Sequence, residues 1–259
     1  MAKDETEQVP NIETGKLKTT HFYAAHTTQE NDIGTRYRMD DRVYHYAKAG
    51  ATLVCNNGCQ IYNTQSVAYA TIADDAVVGA TEIVIDVAAS DGIAGDGVIA
   101  KDALFGGYMI IFPHDDNAIN RRIISNTAVD TDEMTVTLDQ GIPVALDTDN
   151  DHAECMASPY SDVRSTNTAT KSIIGVPMVA ATAGQWLWIQ TWGPCWITPQ
   201  AAVSVGNTNR QVVFRHDGSL DEHDYSDAYT TKAQHAGFVL ANAAGATQGA
   251  AFIMLQICP

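Results

Sequence analysis

The chain has 259 residues, 45% of them hydrophobic and only 18% charged, enough apolar material for one large β unit or two smaller domains. Its 15 Lys and Arg against 31 Asp and Glu give a formal charge of -16. That balance disfavours nucleic acid and anionic membranes as partners, since both are gripped by clustered basic side chains.

Residues 1 to about 20 are polar, mixed in charge and poor in large apolar groups. They read as an extended N-terminal arm, with no apolar stretch that would make a secretory signal. "GTRYRMDDRVYHYAKAG" holds two β-prone runs, 35–39 and 42–47, joined at Asp40-Asp41, which predicts a hairpin. "ATEIVIDVAA" alternates Ile83, Ile85 and Val87 with Glu82, Val84 and Asp86, the period of a half-buried strand. "GGYMIIFP" begins at the turn glycines Gly106 and Gly107, and "NRRIISN" and "MTVTLDQ" bracket a polar turn at "TAVDTDE". Short helices fit "DDAVVGA" and "AKDALFG". The strands between 70 and 157 recur at the spacing of a small barrel or sandwich.

A Ser/Thr-rich connector, "SPYSDVRSTNTATKS", leads into the Trp segment, "AAVSVG" and "NRQVVFRH". Phe238 lies in "HAGFVLANAAGATQ", which predicts a closing hairpin with "GAAFIMLQICP". The fold class is mainly β: a β-sandwich or barrel core over 21–69 and 158–259, an inserted β-barrel-like module over 70–157, and the arm. No run of apolar residues is long enough for a membrane-spanning helix.

Few residues nominate chemistry. Five cysteines, an odd number, read as reduced thiols made in a cytoplasm rather than a disulfide framework. Cys55 and Cys59 in "CNNGC" lack the second pair that zinc would need. Asp147, Asp149 and Asp151 open like a calcium loop, but His152 stands where that loop needs Gly, and a polar turn is the better reading. His216 and His223 sit in "RHDGSLDEHDYSD", read as a solvated acidic turn. Asp221 and Glu222 there are the carboxylate pair a polysaccharide hydrolase would use. The expectation is no catalytic residue, no metal and no cofactor.

All four tryptophans, Trp186, Trp188, Trp192 and Trp196, fall in "GQWLWIQTWGPCWI". As a strand, Trp186, Trp188, Gln190 and Trp192 alternate with Leu187, Ile189 and Thr191, so both faces are largely apolar. A platform that stacks sugars or bases would show one core face and one aromatic face with polar groups interleaved. The segment therefore reads as core or subunit interface, together with Ile189 and Phe238. Gly184 before it and Gly193-Pro194 within "WGPCW" read as turns.

The order of these pieces resembles a family of tailed-bacteriophage virion structural proteins, some of which decorate or cement the capsid. "DDRVYHYAKAGATL" is similar to that family's Asp-Gly-Arg-Val-aromatic-Arg-Tyr-Ala-x-Ala-Gly stretch, with Asp41 in place of its Gly. The insert from "GATEIVIDV" to "SPYSDV" resembles the family's Gly-Gly-Tyr module. "GVPMVAATAGQWLWIQTWGPCWI" resembles its Gly-Val-Ala…Ala-Gly-x-aromatic-x-Trp-x-Gln pattern, and "HAGFVLANAAGATQGAAFIMLQI" its closing strands. The resemblance implies a non-enzymatic protein on the capsid surface of a virion, made in the host cytoplasm. It implies the major capsid protein and further copies of itself, as a trimer or other closed ring, as partners. A tail, neck or fibre component with a host-binding role is the alternative.

Overall fold

A computed structural model describes residues 22–62, 65–92, 94–165, 168, 171–200, 202–203, 209–224, 233–241 and 251–259. The N-terminal arm, Asp227 and the loop of the closing hairpin lie outside the described residues. The described residues are all-β, in two curled antiparallel sheets that each form a half-barrel. The segments read as possible short helices are turns and irregular backbone instead. In "AKDALFG" the carbonyl of Ala100 accepts from Ala103 and that of Asp102 from Phe105, local turns that never propagate.

The chain divides into two compact units, Met1–Tyr62 with Tyr160–Pro259, and Asn63–Pro159. The second starts at Asn63 rather than at 70 because β4 (Gln65–Thr71) pairs with β9 (His152–Met156), from Gln65↔Met156 to Thr71↔His152. Its sheet runs β4-β9-β6-β7-β8-β5, with β5 Glu82–Asp86, β6 Tyr108–Phe112, β7 Ile119–Asn126 and β8 Glu133–Leu138. Ile83, Ile85 and Val87 enter its core with Met109, Ile111 and Val136, the alternation seen in the sequence.

The first unit holds β1 (Arg36–Met39), β2 (Arg42–Lys48), β3 (Cys59–Ile61), β10 (Val163–Arg164) and β11 (Ile173–Pro177). It continues with β12 (Trp186–Trp196), β13 (Gln211–Phe214), β14 (Leu220–Glu222), β15 (Gln234–Ala241) and β16 (Phe252–Gln256). Its order is β10-β3-β11-β12-β16-β15-β13-β14, and β2 joins β12 while β1 joins β2. The β1–β2 hairpin turns at Asp40-Asp41, with Met39↔Arg42 in register. Asp40 takes the left-handed backbone, φ 56°, that this two-residue turn needs and that Asp tolerates.

Candidate assembly face

β12 is eleven residues long, and its two halves do different things. Trp186 to Gln190 pair with Lys48 to Tyr44 of β2, and the next partner of β2, Val43, faces Trp192. Thr191 is the extra residue of a β-bulge. Buried polar groups fasten this kink. The Thr191 hydroxyl donates to the Cys258 carbonyl at 2.7 Å and lies 3.1 Å from Nδ1 of His45. The Gln190 amide donates to the carbonyls of Trp192 and Pro194 at 3.0 and 2.9 Å.

Upstream of the bulge the tryptophans are locked in. Trp188 is buried among Phe22, Tyr37 and Tyr46, with ring centroids 5.6, 6.2 and 5.1 Å away. Trp186 stacks on Tyr46 at 6.0 Å, under the Lys48 ammonium. Phe22, whose ring lies 4.3 Å from that of Tyr44, closes the cluster. Leu187 and Ile189 point into a separate core with Ala47, Leu53 and Cys59. Both faces of this half are thus buried inside the unit.

Downstream of the bulge the strand does not stop at Gly193-Pro194. It runs on to Trp196, paired with β16 from Trp192↔Gln256 to Trp196↔Phe252, so the expected turn is a strand interior. Gly193 is required there, with φ 93°, because a side chain would collide with the Asp41 carbonyl. Cys195, Ile197, Ile253, Leu255 and Ala236 turn into a core on one side.

The other side is displayed. Register sets Pro194, Met254 and Phe238 in one row and Trp196, Phe252 and Ala241 in the next. Trp192, Pro194, Trp196 and Met254 are half-buried, while Phe238, Phe252 and Leu240 are 40%, 39% and 48% exposed. β12, β15 and β16 contain no Asp or Glu at all, in a chain with 31 of them. This is a contiguous apolar, acid-free sheet face, and such patches mark interaction surfaces. The structure therefore separates the residues grouped by the sequence reading. Trp188 and Ile189 are internal and Trp186 is half-buried against Tyr46 and Lys48, while Trp192, Trp196 and Phe238 meet on the open face. Leu240, Met254 and Phe252 complete that face. Their signal was "FIMLQ", whose two faces are apolar at alternate positions just as in the Trp segment.

The remaining glycines behave as follows. Gly184 (φ 84°) and Gly106 (φ 73°) sit in turns before β12 and β6, and Gly107 is a close approach, where a side chain would meet the Met156 carbonyl.

Other candidate chemistry is tied down locally. Asp147 accepts from the backbone N–H groups of Asp149 and Asn150, and Asp151 from those of His114 and Asp147. No group of three or more metal-ligating side chains is assembled among the described residues. Asp221 and Glu222 are neighbours on β14, so their side chains leave on opposite faces, and Asp221 pairs with Arg215 at 2.9 Å. Burial pushes the thiols of Cys59, Cys155 and Cys195 up to about 12, which keeps them protonated and poor nucleophiles. Among the described residues no helix is long and apolar enough to cross a membrane.

Compared with models of known families, with curated proteins and with solved structures, the chain matches none.

Proposed function

We propose that the chain is a non-enzymatic structural protein of a tailed-bacteriophage virion, of the capsid decoration type, bound across subunits of the major capsid protein. The observation that carries this reading is the acid-free apolar face of β12, β15 and β16. A chain with a formal charge of -16 repels its neighbours everywhere except where acidic groups are missing. A face of this kind gains free energy by leaving water against another subunit, and a stable contact needs about 1,600 Å² in total. The motif resemblance from "DDRVYHYAKAGATL" to the closing strands points to the same class. The partners in this reading are the major capsid protein and further copies of the chain in a closed ring, a trimer by preference. Nucleic acid, membrane and cofactor have no part, and the protein is made in the host cytoplasm and ends on the capsid surface.

Two measurements test it. Electron cryomicroscopy of the intact particle is expected to place density on the shell in many copies. A single ring or a few copies on the tail or fibres would instead assign the alternative role. In solution, Phe238→Ser with Phe252→Ser is expected to weaken association seen by sedimentation while leaving a chain that still unfolds cooperatively in urea, at a cost of about 1–3 kcal/mol, because each side chain is already two-fifths exposed. A folded double variant that associates as wild type does would show that this face is not the contact.

A further inference from the structure

The Asn63–Pro159 unit carries a second displayed face that assembly does not use. β4 meets β9 with two register shifts, and in the second of them Tyr69 holds a left-handed backbone, φ 48°. That conformation costs a bulky aromatic residue about 1–2 kcal/mol, and a bulge re-aims the side chain it carries. The result is a phenol ring 58% exposed, stacked on His152 at 4.3 Å and 13°, with Phe112 at 5.7 Å. Val67 and Ala70, three residues apart, both fill the core beneath with Ala153, because the bulge that carries Tyr69 turns the strand back to that face.

The strip continues across the sheet. Register places Ile110 beside Glu154 and Asn120, and Tyr108 beside Met156 and Arg122. Tyr108 is 48% exposed. Phe112, at the level of Tyr69, and Tyr108 are four residues apart on one strand, about 13 Å at 3.3 Å per residue. Two exposed tyrosines thus end a strip with the Glu154 carboxylate between them, and with Asn120 and Arg122 along its β7 edge. The opposite face of the same strands is core, through Met109, Ile111 and Cys155. This is the pattern that the Trp segment lacks: one buried face, and one aromatic face with polar groups interleaved.

We propose that this strip binds a neutral oligosaccharide. Tyr69 and Tyr108 each take the C–H face of one pyranose ring, Glu154 hydrogen-bonds a hydroxyl between them, and Asn120 one at the β7 edge. The chain's charge of -16 sets the choice of a neutral sugar over a polyanion. The interleaved polar groups favour a sugar over an apolar peptide, which would seek an apolar groove. The inference is independent of the virion role, and either can fail without the other.

The test is saturation-transfer NMR on the full chain with cellohexaose, maltohexaose and N-acetylchitohexaose at millimolar concentration, and a proline-rich decapeptide as the rival ligand. Ring protons of at least one hexasaccharide are expected to receive saturation. Tyr69→Gly is expected to weaken that binding about tenfold without lowering Tm, since glycine accepts the backbone that tyrosine strains. Tyr108→Ala, at an exposed site, is expected to weaken it as well. No transfer to any hexasaccharide, transfer to the decapeptide alone, or equal binding by wild type and both variants would overturn the proposal.

Discussion

His45 shows how a single residue can set the acid limit of the fold. Its ring is buried, stacked on Tyr160 at 4.6 Å and 4°, with Nδ1 against the Thr191 hydroxyl. Burial first, and the charge of Arg36 second, lower its pKa to about 4 from 6.5. Between those values the unfolded chain binds a proton that the folded chain refuses, so stability rises with pH through that window and falls on acidification. The full difference is about 3 kcal/mol at the acid end. Urea midpoints measured from pH 7 down to pH 4 are expected to fall more steeply for wild type than for His45→Gln. Parallel slopes would show that the imidazole is not the group responsible. Nothing in "RVYHYAK" marks this histidine, because the groups that bury it, Tyr160 and Thr191, lie more than a hundred positions away.

At the scale of the element, β12 divides what local pattern can reveal from what it cannot. The alternation of Ile83, Ile85 and Val87 and the Asp40-Asp41 hairpin depend on neighbours in sequence, and both were legible there. The twofold apolar pattern of the Trp segment was legible too. Its division at Thr191 was not, since the bulge exists only because β2 and β16 take different stretches of the same strand. Gly193-Pro194 misleads for the same reason: a dipeptide that usually ends strands is carried through by pairing with Leu255 and Met254. The open face could be suspected from Phe238 alone, but its members come from three strands that only the fold brings together. The two turn-like glycines of the segment therefore respond differently. Gly193→Ala forces a side chain against the Asp41 carbonyl as well as a strained φ, and is expected to cost about 3 kcal/mol or more. Gly184→Ala meets nothing within 4 Å and is expected to cost about 1 kcal/mol, for its φ alone. Chemical denaturation of the two variants checks the order, and equal losses would contradict the close approach.

At the scale of the whole molecule, each unit owns its core, one built from Ile83, Met109, Ile123 and Val136, the other from Val176, Ile197, Ile253 and Leu255 with its neighbours. The chain leaves the first unit at Tyr62 and returns at Tyr160, with Ile61↔Val163 in register and the Tyr62 N–H donating to the Asp162 carbonyl at 3.2 Å. Composition could suggest an insert, but its first boundary fell late because nothing local tells that β4 belongs with β9. Residues 63–159 expressed alone are expected to fold, and the remainder closed by a short Gly-Ser linker is expected to fold as well. Calorimetry of the intact chain should then reproduce the two fragment transitions, whereas fragments without cooperative melting would contradict separate cores. The paired tethers also set a load path. A pull on the insert arrives at Tyr62 and Tyr160 together and opens the two-residue β3–β10 pairing one bond at a time, like a zip. Stretching the chain from its far ends instead loads β12 and β16 along their length, in shear, where several bonds must break at once. The β3–β10 edge of the body is therefore the part that yields first when the insert is tugged, while the insert's own sheet and the strands of the apolar face stay paired.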